Sequence, residues 1–394
     1  MTATTTGPAI TAGATDNSAA VRGAVETVES HLHPTPSWRV DDHPMPNGRE
    51  EIWRFTPLKR FQTLLSEQAA TSNLEWSGEH PDVSISRITP DQARELAVEA
   101  PVDRIAALAA VSDDAPVHID VPAGVELSEA AVFTGTGKGG EARDRFVITV
   151  GANARATIVL RYQGQASYAE KVDIVVGDGA NANIVTLQEW ADGSVHGGQR
   201  SIRVGRDATV RAVTVSLGGD IRLQEDSRFA GPGGSLDQFG LYFVDAGQHI
   251  EHRLFVDHNE PRTHSNVDYR GALQGEGAHS VWIGDVLIRK VAEDISTYEA
   301  NKNLVLTDGC RADSVPNLEI ETGEIAGAGH SSTTGRFDDQ QLFYLRSRGI
   351  SEEEARRLVV RGFFASIIGK IGVPAIEERL LEAVEAELEK SVQQ

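Results

Sequence analysis

"ITVGANARATIVL" (148–160), "IVVGDGANANIVTL" (174–187) and "IRVGRDATVRAVTV" (202–215) share one template. In each, a Val-Gly step ends an apolar run, a polar turn follows, and inward-facing Ala and Val resume. The glycines are Gly151, Gly177 and Gly205, spaced 26 and 28 residues apart. A repeat of this length marks stacked units, none of which can bury its apolar face alone. Short Val/Ile strands with glycine corners favour a β-solenoid over a sandwich. The glycines either supply a positive φ or leave room for the neighbouring coil. "LVLTDGCRADSVPNLEI" (304–320) reads as a late copy with Thr307 in the glycine's place.

Outward from this core, the texture changes at both ends. Residues 1–20 are small and polar and are expected to be disordered. Residues 21–115 read as a mostly helical region with loops. It holds a short helix in "VRGAVETVESHL" (21–32), Ile52, Trp53, Phe55 and Leu58 within two turns, and a helix started by Thr89 and Pro90. Residues 116–335 form the β-solenoid. Residues 336–394 form a C-terminal helical domain, opened by the capping box of Ser351 and Glu354. Its first helix is expected to present Leu358, Val359, Gly362, Phe363 and Ser366 on one face. Its second should present Ile376, Leu380, Leu381, Val384 and Leu388. This pair is expected to pack on itself or on the end of the solenoid.

Composition removes several classes of function. A net charge of −21 argues against a nucleic-acid binder, because phosphate binding needs a basic surface. One cysteine, Cys310, allows no disulfide within the chain and no cluster held by its thiolates alone. No apolar run approaches the roughly 20 residues that span a bilayer. No basic stretch followed by an apolar one opens the sequence, so a cytoplasmic location is expected.

Few residues invite chemistry. His249 and His252 stand three apart, which on a strand puts them on opposite faces, so they are expected as solvated strand positions and not as a metal pair. "GTGKGGEARD" (135–144) and "GPGGSLD" (231–237) are expected as loops, and neither has the phosphate-binding pattern. Cys310 reads as a small residue at a turn. Its alternative is a thiolate beside Arg311 that helps hold iron or accept sulfur. His330, among Gly and Ser, needs a partner from elsewhere in the fold. The block "QLFYLRSRGI" (341–350) joins apolar Leu342, Phe343 and Leu345 to Arg346 and Arg348, a composition suited to core or to a protein anchor. Phe343 and Phe363 are expected to be buried in the helical unit.

The string "NKNLVLTDGCRADSVPNLEIETGEIAGAGHSSTTGRFDDQQLFYLRSRGISEEEARRLVVRGFFASII" (301–368) resembles the C-terminal signature of the SufB/SufD family of iron–sulfur cluster assembly proteins. "REEIWRFTPL" (49–58) and the Leu345-Arg346-Ser347-Arg348 wording are most similar to its SufD branch. The resemblance implies a mainly β protein, a right-handed parallel β-helix flanked by helical termini. It implies a non-enzymatic scaffold in a SufBCD complex, paired with a SufB-type paralogue through the end of the β-helix. It also implies docking of a SufC-type ATPase by Leu342, Phe343, Tyr344, Arg346, Arg348, Leu358, Gly362 and Phe363. A homodimer in isolation is compatible with this picture. ATP would belong to SufC, no cofactor would be held tightly by this chain alone, and a nascent Fe–S cluster would form at the interface with SufB. The family's interface histidine falls on His330, and Cys310 is the second candidate iron ligand. Two positions depart from the pattern. Ala328 stands where SufD sequences often carry Cys, and Ser331 stands where SufB has Glu. A β-solenoid acting on polysaccharide is the alternative class.

Overall fold

The computed structural model describes residues 34–390 apart from 69, 113, 337 and 338. The expected disordered segment 1–20 and the expected helix at 21–32 lie outside the described residues. A parallel β-solenoid occupies the middle of the chain. It opens with β1 (Glu75–Ser77), β2 (Ser84–Arg87), β3 (Val117–Val121), β4 (Ala131–Val150) and β5 (Arg155–Val176). Strands of nine or ten residues follow: β6 (Asn181–Trp190), β7 (Val195–Val204), β8 (Thr209–Leu217), β9 (Asp220–Phe229), β10 (Ser235–Val244), β11 (His249–His258), β12 (His264–Leu273), β13 (His279–Ile288), β14 (Ser296–Val305), β15 (Arg311–Ile320) and β16 (Gly327–Arg336). From β7 onward, even strands pair with even and odd with odd, so the chain alternates between two walls and climbs one coil per strand pair.

Register shows the period directly. Asn181 pairs with Thr209, Thr209 with Ser235, Ser235 with His264, His264 with Ser296 and Ser296 with Gly327. Each coil therefore takes 26 to 32 residues. The corner glycines serve close approach. A Cβ on Gly177 would lie 2.6 Å from the Ala152 nitrogen, and one on Gly205 would lie 2.6 Å from the Gly177 carbonyl carbon. The left-handed conformation falls two residues later, at Asn153, Gly179 and Asp207, with φ of 57°, 67° and 53°.

Strand alternation supplies two cores from one strand. On β10, Leu236, Tyr242 and Val244 enter the interior between the walls, while Phe239, Leu241 and Phe243 build a second core outside the even wall. That outer core is completed by α5 (Glu352–Ile368) and α6 (Pro374–Lys390). The helices thus lie along the flank of the solenoid and not on its end, because the even wall offers an apolar outer face to cover. Asn183 donates to the Ile371 carbonyl at 2.7 Å and Gln274 to the Glu387 carbonyl at 2.7 Å, which ties the pair along several coils.

The segment before the solenoid covers the odd wall. It contains α1 (Gln62–Leu65), α2 (Pro90–Leu96) and α3 (Arg104–Ala110). Thr89 and Gln92 form the capping box that starts α2. Trp53, Phe61, Leu64 and Ile105 pack against Ala169. The Arg222 guanidinium sits 3.9 Å over the Trp53 ring and pairs with buried Asp103. Among the described residues, no helix is long and apolar enough to cross a membrane.

Three expectations are corrected. "GTGKGGEARD" is strand, not loop: it lies within β4, and a bulge between Lys138 and Glu141 takes up the positive φ of Gly139 and Gly140. His249 and His252 do lie on opposite faces, but both are buried and not solvated, because the odd wall is covered on its outer side as well. On α5 the buried stripe is Ala355, Val360, Phe364, Ile367 and Ile368, so Leu358, Gly362 and Ser366 face outward.

Candidate functional site

Among the described residues, no strand covers the end of the solenoid. Among the described residues, β16 pairs only with β14, and β15 only with β13. No residue of β15 or β16 is fully buried. Two parallel strand edges with unpaired backbone groups therefore stand open.

His330 sits in the middle of β16, in register with Glu299 of β14. Alternation puts Ala328, His330 and Ser332 on one face. The His330 side chain is 42% exposed, and its Nδ1 lies 3.9 Å from Glu299 Oε1. Glu299 itself is only 1% exposed, and Oε1 has no hydrogen-bond partner. Burial, reinforced by the charge of Asp285, pushes its pKa up to about 9. Gly284 makes room for it, since a Cβ there would overlap both Glu299 Oε2 and the Trp282 ring. Trp282 Nε1 and Ser314 Oγ, on residues paired across β13 and β15, are likewise buried without partners. The open end is thus lined by polar groups awaiting partners.

Cys310 and His330 are not brought together. Cys310 lies in the turn before β15, where its Sγ donates to the Gly275 carbonyl at 3.4 Å and lies 3.6 Å from Thr307 Oγ1. That turn follows Val305, six strand residues or roughly 20 Å beyond Glu299. Ala328 contributes only apolar contact to the interior core. The donors beside His330 are therefore a ring nitrogen and a carboxylate. These fit a cationic iron species, while any thiolate or sulfide must come from elsewhere. Among the described residues, no group of three or more His, Cys, Asp or Glu could hold a metal ion.

The expected docking residues split by environment. On α4 (Asp339–Ser347), Leu342 is buried, whereas Phe343 and Tyr344 are 75% and 58% exposed. Phe343 was expected in the core, but α4 precedes the helices that lie on the wall. Arg346 and Arg348 are exposed, and Arg348 stacks on Tyr344 at 5.3 Å. On α5, Leu358 is 45% exposed, a Cβ on Gly362 would meet open space, and Phe363 is half-buried beneath Arg270.

Sequence reasoning missed Glu299. The signal was present: Glu299 and His330 are one coil apart and share strand phase, but pairing needs the length of the last coils, which are longer than the legible repeat.

A cavity of about 250 Å³ lined by Trp76, Ile85, Phe133 and Phe146 lies at the opposite end of the solenoid and contains none of these residues.

The family described as "SUF system FeS cluster assembly, SufBD core domain" matches residues 133–363. The chain is 49% identical over 364 residues to an iron-sulfur cluster assembly SufBD family protein of Mycobacterium tuberculosis, covering 90% of this chain and 92% of that one. A protein of the same description from Mycobacterium leprae is 44% identical over 380 residues, covering 94% and 97%. The iron-sulfur cluster assembly protein SufD of Bacillus subtilis is 26% identical over 216 residues, covering 54% and 49%. With its core domain matched across the solenoid and the first C-terminal helices, the chain belongs to the SufBD family of iron–sulfur cluster assembly proteins.

Proposed function

We propose that this chain is the SufD-like scaffold subunit of a SufBCD-type complex, paired with a SufB-type paralogue and docked to a SufC-type ATPase. The observation that carries the reading is the open last coil. Its two unpaired parallel edges frame His330, an arrangement suited to adding the strands of a like-folded partner. A nascent Fe–S cluster is then the cargo of that joint, with His330 as this chain's ligand. Cys310, turned to the far end of its coil, is left with a structural role. Phe343, Tyr344, Arg346, Arg348 and Leu358 supply an aromatic, basic and apolar surface for the ATPase, while Leu342, Gly362 and Phe363 shape the helices that present it. ATP binds the ATPase, and this chain carries out no bond-breaking step of its own.

Affinity purification of the tagged chain from its native cells tests the reading. Recovery of a SufB-type paralogue and a SufC-type ATPase is expected. Recovery of neither, together with glycan cleavage by the purified chain, would replace the scaffold with the polysaccharide-active alternative.

A further inference from the structure

We propose that Glu299 is a second metal-binding residue of this chain. Its carboxylate and the His330 imidazole form a mixed oxygen–nitrogen pair for a divalent first-row cation at the open end of the solenoid. The inference rests on the reading of His330 as a ligand at the assembly joint.

Register creates the pair. Glu299 and His330 occupy matched positions on adjacent parallel strands, so their side chains project the same way from coils about 4.8 Å apart. Their nearest polar atoms are 3.9 Å apart. Bonds from a first-row cation to an imidazole nitrogen and to a carboxylate oxygen are each about 2.1 Å, so one ion reaches both atoms up to a separation of about 4.2 Å. A tetrahedral angle at the ion puts the two atoms about 3.4 Å apart, so the pair closes on an ion after the half-exposed imidazole shifts by about 0.5 Å.

Burial supplies the second, independent argument. Glu299 is almost wholly enclosed, yet Oε1 meets no donor. A buried carboxyl oxygen that neither accepts nor donates a hydrogen bond is costly, and such groups in native folds ordinarily have a partner. The same oxygen lies 3.9 Å from the His330 Nδ1, beyond hydrogen-bond distance. The fold also keeps space for the group: the absence of a side chain at Gly284 leaves room for its Oε2.

The chemistry of the pair limits what it takes. Imidazole suits iron, zinc, copper and nickel, and carboxylate suits harder divalent ions, so the combination favours ferrous-type ions over a thiophilic monovalent one. Two donors leave the remaining coordination positions to water or to groups brought by a partner.

Cobalt(II) titration of the purified full-length chain, followed by visible d–d absorption, tests this, with circular dichroism confirming the fold of each variant. The parent chain should bind one cobalt ion at the pair. His330→Ala should abolish that signal. Glu299→Gln should weaken it at least tenfold and shift its bands, and Gly284→Ala should do the same by displacing the carboxylate. If Glu299→Gln binds as the parent does while His330→Ala loses the ion, Glu299 is not a ligand, and the reading of His330 stands. If His330→Ala also binds as the parent does, the reading of His330 fails with it. Absence of cobalt absorption by the parent at millimolar metal overturns the pair.

Discussion

Glu170 and Arg200 face each other inside the solenoid, both buried. Glu170 Oε1 accepts from Arg200 Nε at 2.9 Å and Nη2 at 2.7 Å, and the Tyr162 hydroxyl donates to Oε2 at 2.6 Å. Burial alone would raise the Glu170 pKa, but Arg200 and His196 outweigh it and hold it at about 2. Removing one partner strands the other charge. Arg200→Met is therefore expected to cost about 3–5 kcal/mol in denaturant unfolding, and adding Glu170→Gln should recover much of it. A single variant costing under about 1 kcal/mol would mean that water reaches the carboxylate. His258 gives a pH test. Its ring bonds Thr263 Oγ1 at 2.7 Å and Ser265 Oγ at 2.8 Å, and burial, with His264 adding to it, lowers its pKa from 6.5 to about 3. The unfolded chain binds this proton more readily than the folded one. The stabilisation is thus fully present above pH 6.5 and drains away as pH falls toward about 3. His258→Asn should flatten that part of the stability–pH curve, and an unchanged slope would assign it to other groups.

At the level of elements, α4 and α5 differ in what their aromatic residues do. Phe364 is fully buried against the even wall, so Phe364→Ala should cost about 3–5 kcal/mol. Phe343 and Tyr344 stand in solvent, so replacing both with Ala should change stability by no more than about 0.5 kcal/mol each. The same double variant is expected to lower affinity for a SufC-type ATPase at least tenfold, read by calorimetry. Undiminished affinity would move the docking surface elsewhere. The contrast also shows where sequence is readable. The corner glycines were legible because close coil approach excludes every other residue at Gly177 and Gly205. The stripe of α6 was legible because Glu and Arg fill its other faces. The phase of α5 was not, because apolar residues surround this helix and more than one stripe satisfies a 3.6-residue period. His330 stood out in the sequence as a candidate through the family resemblance of its neighbours in the chain. Its partner Glu299 was not, because that contact depends on a coil of 31 residues when the readable copies are 26 and 28 apart.

Taken whole, the molecule is a stack whose two ends are unlike. The first coil is closed by antiparallel pairing of β1 with β4 and β2 with β3, and both flanks are sheathed by helices. Among the described residues, the last coil has strand neighbours on one side only. In a stack stabilised by nearest-neighbour contacts, such a terminal unit opens with less free energy than the units inside it. Hydrogen exchange on the isolated chain should therefore find β15 and β16 exchanging well before β8 and β9, although all four strands carry comparable backbone hydrogen bonds to an inner neighbour. Pairing with a SufB-type subunit would supply the missing neighbour. It should slow exchange at Arg311–Ile320 and Gly327–Arg336 at least tenfold while leaving β8 and β9 unchanged. ATPase binding alone should instead protect α4 and the exposed face of α5. Protection of β15 and β16 already equal to the inner coils, or no change there on pairing, would show that the open end is not the joint and that the two subunits meet along a flank.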